Sequence, residues 1–241
     1  MIGIIVSGKV TDTKDPDKLG RVKVKLIAYD KPIEVWLRIL WPYASKKAGF
    51  VFLPEKDDEV LILRGAGDDI DGMFIVGALY NGIHVPEFVN PDGKNDTKLI
   101  KTRSGNKIEI TDKSSEESIL LETKKGQQIL MTDKSAVTGF EIKNSDGTIT
   151  LKMDKNGVDL NVAKGKDLKI TVAGDTKINV TGDVKVDGKK NVEVKAGMGV
   201  KVQAGTNVEV KGTAAVKVTA PQVEVSGSAM VTVKGAMVKI N

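Results

Sequence analysis

The sequence predicts an all-β protein built from two different architectures, and three observations carry that expectation. Apolar and polar residues alternate at period two over most of the chain, the side-chain period of a strand. Clusters of Gly, Asp, Asn and Pro cut the alternation into short segments. From Val184 onward these segments recur about every eight residues, and a fixed period signals a stacked, quasi-one-dimensional structure.

Composition divides the 241-residue chain in the same way. All aromatic residues lie at or before Phe140, all four arginines lie at or before Arg103, and no proline occurs between Pro91 and Pro221. The front half therefore holds the ingredients of a globular core and the back half does not. Net charge is +5, and from Lys166 to the end twelve lysines stand against seven acids, so the excess resides there. A basic segment is one footprint of nucleic-acid binding. Here the lysines alternate with valines, which reads as the solvated face of strands, and lysine on strands also discourages edge-to-edge pairing. The absence of cysteine excludes a disulfide framework and thiolate chemistry. The apolar run at Met1–Val6 is too short for a signal peptide and reads as a first strand. No stretch approaches the roughly 20 apolar residues of a membrane-spanning helix. A soluble protein made in the cytoplasm is expected.

Residues 1–88 read as a small β domain. Alternation marks strands over 4–10, 21–26, 35–40, 59–63 and 73–79. Turn signals separate them at Asp15-Pro16-Asp17, at Asp30-Lys31-Pro32, and from Gly67 through Asp68, Asp69 and Asp71 to Gly72. Five or six short strands in under about a hundred residues predict a small Greek-key barrel of the OB-fold type. The turn residues Asn90-Pro91-Asp92-Gly93 mark a linker over 89–96.

Residues 97–165 form a second β stretch, with apolar pairs at Ile108/Ile110, Ile119/Leu121, Ile129/Met131, Ile149/Leu151 and Val158/Leu160, and with Ile142 between them. The pair-to-pair spacing is about ten and irregular, so this stretch reads as a collar that tapers into the following segment.

Residues 166–241 form the regular rod. Its valine pairs are Val184/Val186, Val192/Val194, Val200/Val202, Val208/Val210 and Val216/Val218, followed after a slip of one residue by Val223/Val225, then Val231/Val233, and after a second slip by Val238/Ile240. Alternation places both valines of a pair on one face. A fully buried valine contributes about 1.5–3 kcal/mol, against about 1–2 kcal/mol for ordering each residue's backbone. The sums nearly cancel unless the apolar faces meet others of their kind, either within one chain or between chains. Glycines such as Gly182, Gly197, Gly205 and Gly212 permit the bends between segments.

The front domain carries an ordered series of motifs: Gly20-Arg21-Val22-Lys23-Val24, Trp36-Leu37-Arg38-Ile39, the run Ala48 to Glu55 containing Pro54, Asp58-Glu59-Val60-Leu61, and Gly77-Ala78-Leu79-Tyr80-Asn81. The collar opens with Lys101-Thr102-Arg103-Ser104-Gly105-Asn106-Lys107. This order, followed by valine octads, resembles the central spike proteins of contractile injection machines, the phage baseplate assembly protein V group and the valine–glycine-repeat spikes of type VI secretion systems. The resemblance implies an N-terminal OB-fold barrel followed by an intertwined trimeric, triple-stranded β-helix. It implies a homotrimer whose core is built from the valine pairs between Val184 and Val233, with a baseplate hub protein at the barrel end. It marks Arg21, Trp36, Arg38, Pro54, Gly77, Tyr80 and Asn81 as motif residues of the barrel.

On that reading the protein joins the hub to a tip, pierces the target cell envelope, and is assembled in a phage tail or tail-like particle after synthesis in the bacterial cytoplasm. A hub domain fused at the front is not expected, nor is a lysozyme-like insert. The last turn, with Met237, Val238 and Ile240, is expected to receive a small conical tip protein. If three chains alternate on each face, every octad advances one strand spacing, so about nine octads give a rod of roughly 40–45 Å.

Chemistry is sparse by comparison. Asp68, Asp69 and Asp71 stand before Gly72 like a calcium loop but lack the distal bidentate glutamate, so a turn is expected. His84 is the single histidine and reads as a loop residue; some relatives hold iron at their tip through paired histidines, and this C-terminus has none. Glu116-Glu117 and Asp57-Asp58-Glu59 read as solvated turns rather than a glycosidase pair. No nucleophile elbow, P-loop or dinucleotide fingerprint is present. No enzyme activity, cofactor or metal is therefore expected. Trp36 and Trp41 could stack bases, as in single-strand binders, although core packing or a contact between copies fits them better. The competing functional reading is thus an OB-fold nucleic-acid-binding protein with a basic β-solenoid tail.

Overall fold

Alternation in the first strands is strict enough to close a barrel. A computed structural model describes residues 4–27, 31, 33–65, 72–134 and 138–240. The turn residues Asp30, Pro32, Asp68, Asp69 and Asp71, and the terminal Asn241, lie outside the described residues. The chain divides into two units, residues 1–170 and 171–241.

Five strands form the closed barrel: β1 (Ile4–Asp12), β2 (Val22–Leu26), β3 (Ile33–Ile39), β6 (Glu59–Arg64) and β7 (Met73–Leu79). A short hairpin, β4 (Ala44–Ser45) with β5 (Ala48–Gly49), interrupts the series. The barrel order is β1-β2-β3-β7-β6, with β6 returning to β1. All pairings are antiparallel except β3 with β7, where Arg38 stands beside Phe74.

Every second residue points inward. Val22, Val24 and Leu26 from β2, Val35 and Leu37 from β3, Val60 and Ile62 from β6, and Met73 and Ile75 from β7 meet Val10 in one buried cluster. Among the described residues no polar residue joins it. Gly8 permits this closeness, because a Cβ there would lie 2.4 Å from Val24 Cγ1 and 3.1 Å from the Lys25 carbonyl.

Seven further strands follow, from β8 (Thr97–Lys101) to β14 (Gly157–Val162), and form one antiparallel meander in chain order. The same turn recurs on one side of it: the N–H of Gly105, Gly126 and Gly147 donates to the carbonyl of Thr102, Thr123 and Asn144, at 2.9, 2.8 and 3.1 Å. Each of these glycines has a positive φ, which closes a hairpin of this length without strain.

The segment expected to form the rod is described here as one chain. No strand follows Val162 among the described residues, and the last backbone–backbone hydrogen bond among them runs from the Lys166 N–H to the Ala163 carbonyl. One chain by itself does not build the β-helix. Nor does it bury the valines expected to form the core. The first valine of each pair, Val184, Val192, Val200, Val208, Val216, Val223 and Val231, is exposed. The second is more exposed still: Val186, Val194, Val202, Val210, Val218, Val225 and Val233 lie between 70% and 76%.

The physical reason is the segment length. A collar strand of five or six residues can hold a hairpin ladder, whereas a Val-x-Val segment with turns on both sides would make only one or two bonds. Without that ladder no second apolar face is brought over the first, and both valines of each pair stay exposed.

Candidate assembly surfaces

The barrel motifs divide into residues that shape loops and residues that face outward. Arg21 belongs to the first group: its Nε and Nη2 donate to the two oxygens of Asp15 at 3.2 and 2.7 Å, and Nη2 also reaches Asp17 Oδ2 at 2.5 Å. The Arg21 guanidinium, helped by the backbone N–H groups of Arg21, Asp17 and Leu19, holds the Asp15 carboxyl well below the usual carboxylate range against the opposing effect of burial.

Asn81 is also a loop builder. Its Oδ1 accepts from the N–H of Ile83 and His84 at 2.9 and 2.8 Å, and its Nδ2 donates to Glu59 Oε2 at 3.1 Å. His84 Nδ1 lies 3.3 Å from Asp58 Oδ1, so the loop histidine has a carboxylate partner. Asp57 is paired with Lys9 at 2.8 Å, and that contact holds its pKa below the ordinary value. The acids at 57–59 thus tie the start of β6 to β1 and to the loop after β7. Glu116 closes its own turn through Lys113 at 2.6 Å. Among the described residues no group of three metal-ligating side chains converges.

The outward group is apolar. Trp36 lies between the inward Val35 and Leu37, so it sits half-buried on the outer wall; core packing is excluded for it. Trp41 is half-buried outside the core cluster as well. Phe50 stacks on Phe52 with ring centroids 4.5 Å apart, just before the half-buried Pro54. Arg38 and Tyr80 are exposed, and Gly77 pairs with Leu61 beside a bulge in β6–β7.

A second apolar surface covers one face of the meander. The ladder places Ile110 beside Ile119, Ile119 beside Met131, Met131 beside Phe140 and Phe140 beside Met153; a parallel row runs Ile108, Leu121, Ile129, Ile142, Leu151 and Leu160. Phe140 and Met153 are members that the apolar pairs do not include, although their parity with Ile142 and Leu151 indicates it. Ile129 and Ile142 each remain 38% exposed. An open groove of about 670 Å³ runs along Leu121, Ile129, Ile142 and Leu151. The opposite face is mixed: Leu99, Leu120 and Leu130 share it with charged residues, and Lys107 Nζ lies 3.2 Å from both Glu109 Oε2 and Glu122 Oε2. Burial opposes the charge on Lys107, but these two carboxylates outweigh it and raise its pKa.

The third surface lies in the unit 171–241, whose seven valine pairs from Val184/Val186 to Val231/Val233 are all exposed. Met237, Val238 and Ile240 at the end are exposed too. Apolar exposure on this scale marks an interaction surface.

Comparison with known families is specific for the first of these regions. A family model described as the Type VI secretion system/phage-baseplate injector OB domain matches residues 6–80, the span of the closed barrel. No curated protein matches the chain.

Proposed function

We propose that this chain, whose residues 6–80 match the Type VI secretion system/phage-baseplate injector OB-domain model, is the central spike of a contractile injection baseplate. Three copies wind their rods together, the barrels seat on a hub protein, and the far end carries a tip. The work is mechanical, not enzymatic: the rod transmits the force of contraction through the target cell envelope.

The observation that carries the reading is the unpaired rod. From 171 to 240 the chain presents valine pairs to solvent and makes no ladder with itself. Free backbone donors and acceptors along apolar strands favour pairing with another copy. Three chains would satisfy both, with hydrogen bonds between chains and the valines turned to a dry axis. The absence of aromatic residues beyond Phe140 fits an axis too narrow for rings. Stiffness then follows from continuous backbone bonding.

The rod's end supports a tip partner. Met237, Val238 and Ile240 are exposed apolar residues, a surface that suits an apolar contact with a partner. A small conical protein seated on them completes the spike. The apolar outer wall of the barrel, with Phe50, Phe52 and Tyr80, offers area for the hub and for neighbouring barrels.

Antibody labelling of assembled tail or injection particles tests the assignment. Label on the central axis of the baseplate is expected; label confined to the sheath or fibres, or no label in the particle, refutes it.

A further inference from the structure

In the first six of the seven valine pairs the residue between the two valines alternates in charge, and in the seventh, Val231/Val233, it is the neutral Thr232. The six charged residues are Lys185, then Glu193, Lys201, Glu209, Lys217 and Glu224. The alternation survives the slip after Val218, where the step to the next pair is one residue shorter. It therefore follows the count of strands and not the count of residues. By parity these side chains point away from the valine face, and all six are exposed.

Two of the glutamates have a lysine on their own strand, Lys195 at 2.8 Å from Glu193 and Lys211 at 2.6 Å from Glu209. Those pairs are exposed and contribute little. They also do not explain why the central residue switches sign from one segment to the next, since both lysines stand after the second valine of a glutamate segment.

We propose that this alternation is a pairing code between copies of the chain, which sets the register of the rod. The inference rests on the three-chain reading above. If three chains wind together and alternate on each face, the strand beside a given segment is the next segment of another copy. Lys201 and Lys217 then each stand between two glutamates on the outer face, Glu193 and Glu209 between two lysines, and Lys185 and Glu224 end the run with one opposite neighbour each. Opposite charges directly across neighbouring strands stabilise a sheet, and like charges there destabilise it. The valines alone cannot supply this information. Their pairs are nearly interchangeable, so a chain displaced by one segment would keep almost all of its apolar contacts. The same displacement places lysine against lysine and glutamate against glutamate. Asp187 and Lys195, the next outward positions, add one more opposite pair in the same register.

The test is self-sorting of full-length chains. In an inverted chain the six signs are exchanged: Lys185→Glu, Glu193→Lys, Lys201→Glu, Glu209→Lys, Lys217→Glu and Glu224→Lys. Net charge is unchanged, and every proposed pair is preserved. Alone, the inverted chain is expected to assemble to the same mass as the original. Co-expressed with the original chain, and separated by a mass tag, it is expected to yield mixed assemblies several-fold below the binomial share. That depletion should fade as salt rises, because the charges are exposed. A binomial mixture at low salt overturns the code, as does an inverted chain that fails to assemble alone. A monomeric original chain overturns the three-chain reading itself, which keeps the two failures apart.

Discussion

Asp15 and Arg21 form a two-point ion pair across the first turn of the barrel, with Arg21 Nη2 2.7 Å from Oδ1 and Nε 3.2 Å from Oδ2 of the carboxylate. The Asp15 side chain is only 4% exposed. Its oxygens also accept from the N–H groups of Asp17, Leu19 and Arg21. One carboxylate thereby fixes the loop that launches β2, the strand whose Val22, Val24 and Leu26 form much of the core.

That relationship predicts an acid limit for the barrel. The Asp15 pKa is depressed in the folded state. A depressed carboxylate contributes stability that is fully present above its unfolded value, about 3.9, and is lost as pH falls toward the folded value. Asp15→Asn should lower the melting temperature at pH 7. The gap between the variant and the original should narrow as pH falls below about 4. Melting curves from pH 7 to pH 2 check this; a gap independent of pH excludes the carboxylate's charge as the cause.

Gly8→Ala should destabilise the barrel by about 1–3 kcal/mol, the usual cost of overpacking a core. The added methyl would meet the buried Val24 side chain and the Lys25 backbone, neither of which can move freely. Chemical denaturation followed by Trp36 and Trp41 fluorescence measures it. An unchanged midpoint contradicts the close approach of β1 to β2.

Val208→Asp addresses the inward assignment of the rod. In a three-chain rod it gathers three carboxylates near the axis, and burying unpaired charge costs several kcal/mol or more. The assembly should dissociate or melt far earlier. Lys217→Asp, on the outward face, should cost much less. Equal effects from the two substitutions would reverse or remove the facing of the strands.

The nucleic-acid alternative makes an opposite prediction. A basic tail that binds phosphates gives affinity that falls linearly with salt on a logarithmic plot. The spike account expects no measurable binding of single-stranded DNA at physiological salt. Fluorescence anisotropy decides; salt-dependent saturable binding would favour the OB-type reader, with the half-buried Trp36 on the outer wall as its first candidate for stacking.

Most of the barrel was legible because its alternation is local. The strand expected over 73–79 is β7, and β1, β2 and β6 differ from expectation by a residue or two at their ends. Strand β3 begins at Ile33, two residues earlier than alternation indicated. The β4–β5 hairpin went unseen, since Ala44, Ser45, Ala48 and Gly49 carry no apolar alternation. The orientation of Trp36 was readable from its position between Val35 and Leu37, which places it opposite the inward residues. The parallel pairing of β3 with β7 that closes the barrel joins distant segments, and no local pattern encodes it.

The collar and rod show a different limit. Both display the same apolar pairs, yet the collar folds on itself and the rod does not. Spacing separates them: about ten residues leave room for a strand and a hairpin turn, while eight do not. Alternation assigns both valines of each pair to one face of a strand, and in one copy those valines are exposed. The roles of Arg21 and Asn81 needed coordinates, because their partners Asp15, Asp17 and Glu59 are fixed by loop geometry that spacing does not reveal.

The central claim is that several copies share one rod, and mass in solution tests it most directly. Light scattering on the full-length protein should give three times the chain mass, unchanged on dilution through the micromolar range. A stable monomer would contradict the account, since the valines from Val184 to Val233 would then face water with nothing to cover them.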